Sequence, residues 1–88
     1  MLSLPSKPWK KIRIDALAEH RWRIAFLSDF ADEAQFRRTV EDDVRPCLGA
    51  TDEVIDIDGA ARAVVVATRD LVAFKRNLVF ACIMVEFP

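Results

Sequence analysis

The sequence predicts an α+β domain: a small antiparallel sheet with two helices packed on one face. Three observations carry this. Trp22, Ile24 and Phe26 alternate with Arg21, Arg23 and Ala25, the period of a strand with one buried face. Phe36, Val40, Val44 and Cys47 recur at helical spacing, so one stripe of a helix faces a core. Asp58-Gly59 then separates two β-prone runs, Val54–Ile57 and Ala63–Ala67, as a hairpin turn does.

The elements follow in order. Residues 1–8 hold Pro5, Ser6 and Pro8 and read as a loose arm, with one domain over 9–88. Trp9 to Leu17 allows a further N-terminal strand, since Ile12 and Ile14 are strand formers set among charges. Arg21 to Ser28 is the first firm strand. Ser28 and Asp29 are start signals for the helix that follows, because either side chain can accept a bond from a free amide of the first turn. Asp32 and Glu33 suit its positive end. Pro46 ends it near Val44 or Arg45, and Gly49 marks the turn beyond. In the hairpin, Ile55 and Ile57 share one face, and Gly59 is expected to supply a positive φ.

From Leu78 to Val85 there is no charge at all. The segment is a strand buried on both faces or a helix buried on more than one side, and the absence of Gly or Pro favours a helix starting at Asp70. One stripe of that helix holds Leu71, Phe74, Leu78, Cys82 and Val85. The opposite one holds Ala73, Phe80, Met84 and Phe87. A second apolar stripe needs a partner, which points to self-association through Phe74, Leu78, Phe80, Met84 and Phe87. The predicted order is strand, helix, strand, strand, helix.

Composition bounds the function. A chain of 88 residues makes one small core with a thin margin of stability. At 52% apolar content it is too apolar for a disordered chain. The net charge of −1 is unevenly spread: residues 1–23 carry a balance of +4, residues 29–58 one of −7, and residues 62–88 one of +2. Lys7, Lys10, Lys11, Arg13, Arg21 and Arg23 form a basic arm for weak, salt-sensitive nucleic-acid contact or for an acidic protein. Trp9 and Trp22 lie among these cations, where a ring could stack on a base.

The chemistry of a catalyst is not in view. Two cysteines, Cys47 and Cys82, and one histidine, His20, fall short of the usual four zinc ligands. The cysteines sit among apolar residues and read as buried free thiols in a reducing compartment. Asp56-Ile57-Asp58-Gly59 resembles a piece of a calcium loop, but the alanines that follow supply no further oxygen ligands. The carboxylates at 29–33 and 41–43 read as solvated charges of a helix start and outer face. No catalytic, cofactor-binding or metal residue is therefore expected. No apolar run reaches the ~20 residues of a membrane span, and the expectation is a cytoplasmic protein with no membrane contact.

Residues 20–87 resemble the small dimerisation subunit of the KEOPS complex, the family that includes the cancer/testis antigen-like proteins. The first strand, Trp22-Arg23-Ile24-Ala25-Phe26-Leu27-Ser28, is followed by the helix with Ala34. The hairpin Val54-Ile55-Asp56-Ile57-Asp58-Gly59 leads into Ala63-Val64-Val65-Val66-Ala67. The clearest likeness is Ala67-Thr68-Arg69-Asp70-Leu71-Val72-Ala73-Phe74-Lys75-Arg76-Asn77-Leu78. Phe74-Lys75 stands where that family has leucine-arginine, and Arg76-Asn77 where it has smaller residues. The resemblance implies a non-catalytic subunit that pairs with itself through helices. It also implies binding to the catalytic subunit that makes threonylcarbamoyladenosine in tRNA. Two other classes fit the residues: a small nucleic-acid-binding module with a basic N-terminal arm, and a bacterial or phage assembly protein of similar architecture.

Overall fold

The computed structural model describes residues 9–86. The expected loose arm over 1–8, with Lys7 in it, and Phe87 lie outside them. The fold is α+β, with five strands in one mixed sheet and two helices. The strands are β1 (Lys10–Ala18), β2 (Arg21–Phe26), β3 (Glu53–Asp58), β4 (Ala63–Ala67) and β5 (Ile83–Val85). The helices are α1 (Glu33–Thr39) and α2 (Leu71–Phe80). A wide turn over Val40–Val44 and a tight one over Arg45–Cys47 continue α1.

The sheet order is β3-β4-β2-β1-β5. β1 and β2 form an antiparallel hairpin, and β4 pairs antiparallel with both β2 and β3. β5 joins the far edge parallel to β1. The optional N-terminal strand is thus a full member of the sheet. β2 and β3 run in the same direction, as do β4 and β5, and parallel strands need a crossover. The two crossovers are α1 and α2.

Register sorts the side chains. Ile12 lies opposite Phe26, Ile24 opposite Val64, and Trp22 opposite Val66. These residues face the helices. Phe36, Val40, Val44 and Cys47 of the first helical segment complete one core cluster with Phe74, Leu78 and Ile83. The helical stripe read from the sequence is buried at every position.

Four local details differ from the sequence reading. The first helix starts later, with Asp32 as its cap: the Asp32 carboxylate accepts from the Gln35 amide at 2.8 Å. Phe30 packs edge-on against Phe26 and Phe36, with ring centroids 5.5 and 5.4 Å apart, and this holds the preceding residues as a loop. Ser28 instead accepts from the Lys11 amide at 3.0 Å.

A bulge between Val54 and Asp56 shifts the register of β3. Val54 and Ile57 therefore pack on the core, while Ile55 is exposed. Gly59 has no positive φ; Arg62 takes the left-handed conformation of that turn, at φ 55°. Glycine lets the Glu33 side chain lie close there, since a Cβ on Gly59 would displace its carboxyl end.

The last segment is neither a long helix nor a doubly buried strand. α2 stops at Phe80, Cys82 turns the chain at φ 61°, and β5 begins at Ile83. Tertiary pairing overrides the helical pattern here. The Lys10 amide donates to the Cys82 carbonyl at 2.9 Å and the Glu86 amide to the Ile12 carbonyl at 2.8 Å, so the edge of β1 captures the tail. Ile83 is buried and Met84 points away from the core.

Candidate functional site

Among the described residues, the exposed face of α2 is the main apolar surface left uncovered. Asp70 caps the helix by accepting from the Ala73 amide at 3.0 Å. Leu71, Phe74 and Leu78 then turn to the core. The opposite side carries Val72, Arg76, Val79 and Phe80, all exposed. Val72 is 76% exposed, Val79 52% and Phe80 82%. An isolated exposed apolar residue means little, but three on one side of one helix form a patch. Phe80 also borders a shallow depression of about 390 Å³ lined by Asp42, Asp43, Pro46, Cys47, Asn77 and Ala81.

This differs from the five residues expected to mediate self-association. Phe74 and Leu78, at 1% and 0% exposed, are core residues of the chain itself. Met84 lies opposite Lys11 in the sheet and is exposed on the face away from the helices. Phe80 alone of the described four sits on the exposed side of α2. Its neighbours Val72 and Val79 were missed. Their spacing of seven residues, with Phe80 beside it, was the available signal. The break at Cys82 explains Met84, because a helical projection does not hold beyond Phe80, while Phe74 and Leu78 form the core stripe of the helix itself.

The basic residues divide between two sides of the sheet. Lys11, Arg13, Arg21 and Arg23 alternate with the core-facing residues of β1 and β2, so they share the outer face. Lys10 lies on the helix side, with its Nζ 5.8 Å from the centroid of the Phe30 ring. The outer face also holds carboxylates: Asp15 on β1, and Glu53, Asp56 and Asp58 on β3. Arg13 Nε lies 3.8 Å from Asp15 Oδ1. Trp22 faces the core, where its indole N–H donates to the Thr68 carbonyl at 3.3 Å. Trp9 is exposed.

The groups with nucleophilic or basic chemistry are dispersed. His20 closes the β1–β2 turn at φ 60°, with Nε2 3.4 Å from Glu19 Oε1. Cys82 lies beside the start of β1, a strand length of roughly 25 Å from that turn. Cys47 is buried and its thiol donates to the Asp43 carbonyl at 3.1 Å; Cys82 is half-buried, and neither cysteine is in a disulfide. Among the described residues no three His, Cys, Asp or Glu side chains converge on a metal position. An open cleft of about 190 Å³ runs along Glu19, His20, Arg21, Thr51, Asp52 and Arg69. Its charges are mixed in sign. No helix among the described residues is long and apolar enough to cross a membrane.

One exposed ion pair perturbs its members. Arg45 Nε and Nη2 donate to the two Glu41 carboxylate oxygens at 2.7 and 2.8 Å. Those hydrogen bonds hold the Glu41 pKa below its ordinary value and raise that of Arg45.

Comparison with protein-family models, with curated proteins and with solved structures finds no match to this chain.

Proposed function

We propose that the protein is a non-catalytic, self-associating assembly domain and that the outer face of α2 is its contact. The observation that carries this is the exposed trio Val72, Val79 and Phe80. Burying one such side chain gains about 1.5–3 kcal/mol, so the patch favours a partner over water. The chain has nothing further of its own packed on that side of α2 among the described residues. A second copy brings an identical patch, and a two-fold contact needs only one self-complementary surface.

Membership of the KEOPS assembly is the finer form of this proposal and rests on the sequence resemblance. Stable binding to that complex's catalytic subunit tests it directly. Cytoplasmic location and a role in tRNA processing stand or fall with that binding. A nucleic-acid module is the second reading, favoured by Lys11, Arg13, Arg21 and Arg23 sharing one open face. Asp15, Glu53, Asp56 and Asp58 on the same face oppose a polyanion there. tRNA binding measured across salt tests it, since phosphate contacts weaken as salt rises.

Self-association is tested by sedimentation of the wild type beside Phe80→Asp. The wild type is expected above monomer mass and the variant below the wild type, because a charge would be buried unpaired in the contact. Equal masses would remove α2 as the contact.

A further inference from the structure

The outer face of the sheet has a property that its composition alone does not reveal. On three of its strands the residues are sorted by charge, while β1 presents both Arg13 and Asp15. β3 presents Glu53, Asp56 and Asp58; β4 presents Val65 and Ala67, with Ala63 already buried within the chain; β2 presents Arg21, Arg23 and Ala25. The registers align them in rows: Glu53-Ala67-Arg21, Asp56-Val65-Arg23 and Asp58-Ala63-Ala25. Within one molecule the β3 acids and the β2 arginines of a row are two strand spacings apart, about 9.5 Å, with β4 between them; Asp15 of β1 lies opposite Arg23 on its other side. Arg21, Arg23, Glu53 and Asp56 are in none of the ion pairs formed among the described residues.

We propose that a second copy of this chain packs on this face, related by a two-fold axis running along β4. The inference rests on the reading that the chain self-associates, and it names a second surface for it. Rotation about that axis keeps each row and exchanges β3 with β2. Val65 then lies over Val65 of the second copy, with Ala67 likewise on itself. Asp56 faces Arg23 of the second copy, and Glu53 faces its Arg21, each pair occurring twice. Sheets that pack face to face keep their strands nearly aligned, as this arrangement does. A two-fold axis across the strands sets acids on acids and arginines on arginines, so the charge pattern selects one geometry and disfavours the other. A polyanion on the same face meets the row of carboxylates on β3. This surface and the exposed side of α2 are on opposite sides of the molecule, so use of both gives species larger than a dimer.

The test is charge exchange in the full chain, read by sedimentation at low and high salt. Arg23→Asp and Asp56→Arg are each expected to weaken association by about tenfold or more, since each sets like charges together. The double exchange is expected to restore it. High salt is expected to weaken the wild-type contact. Association that is unchanged in both single variants overturns the proposal, as does a double exchange that fails to restore it. Arg23→Gln with Asp56→Asn gives a neutral pair, expected to reduce the salt dependence to that of the remaining Glu53–Arg21 pairs even if a charge reversal disturbs folding. The two surfaces are told apart by Phe80→Asp. If that variant alone dissociates the assembly, the α2 reading stands and the sheet contact fails. If only the charge variants dissociate it, the reverse holds. Loss of tRNA binding in Arg23→Asp without any change in mass also overturns the proposal and assigns the face to nucleic acid.

Discussion

Asn77 donates through Nδ2 to the Cys47 carbonyl at 3.1 Å. That bond ties the middle of α2 to the end of the first helical segment, thirty residues earlier in the chain. It fixes the rotation of α2, and therefore which residues face outward. Asn77→Asp keeps the shape but cannot donate, and it sets a carboxylate against the carbonyl. The expected cost is about 1–3 kcal/mol of stability, read by denaturant unfolding. An unchanged midpoint would show that packing of Phe74 and Leu78 alone orients the helix.

Cys82 holds a left-handed conformation, at φ 61°, in the position where helices usually end on glycine. A residue with a Cβ is disfavoured there by about 1–2 kcal/mol. Cys82→Gly is expected to raise the melting temperature, by less than that full amount because the half-buried sulfur is lost. A fall in melting temperature would mean that the thiol's packing outweighs the backbone strain.

Gly59 and Glu33 should show coupled energetics. A Cβ at Gly59 displaces the Glu33 carboxylate, which lies 2.9 Å from Arg37 Nε. That exposed pair is worth at most about 1 kcal/mol. Gly59→Ala is therefore expected to be neutral or mildly destabilising alone. In a Glu33→Ala background it is expected to stabilise by about 0.4–1 kcal/mol, because the unfolded chain loses freedom and the clash is gone. The same effect in both backgrounds would refute the contact.

Glu41 offers a pH signature. Its pKa in the fold is lowered, first by the hydrogen bond from Arg45. A lowered folded-state pKa means stability that is present above the unfolded value and lost as pH falls through the folded one. Arg45→Gln is expected to move the Glu41 titration up toward 4.5, followed by carboxyl NMR. The stability difference between the two proteins is expected to vanish at acid pH. A difference that persists with Glu41 protonated would mean that Arg45 stabilises by packing.

The sheet and the first helical stripe were legible because their patterns are local. Trp22, Ile24 and Phe26 alternate in the sequence and face the core together. Phe36, Val40, Val44 and Cys47 do so at helical spacing. The tail was not legible. Nothing between Leu78 and Val85 announces a break, and the turn at Cys82 is imposed by the free edge of β1. The candidate contact suffered for the same reason. Met84 joins the stripe of Phe80 only on a helix that continues, whereas Phe74 and Leu78, like Val72 and Val79, needed knowledge of which side the core takes. The charge rows of the outer face depend on strand order, which pairs β2 with β4 rather than with β3 and has no local signature.

The most direct test of self-association through α2 is a map of backbone amide shifts as the protein is diluted. The expected result is concentration-dependent shifts at Val72, Arg76, Val79 and Phe80 that disappear in Phe80→Asp. Shifts that spare these four residues, or a spectrum that does not change with concentration, would contradict it.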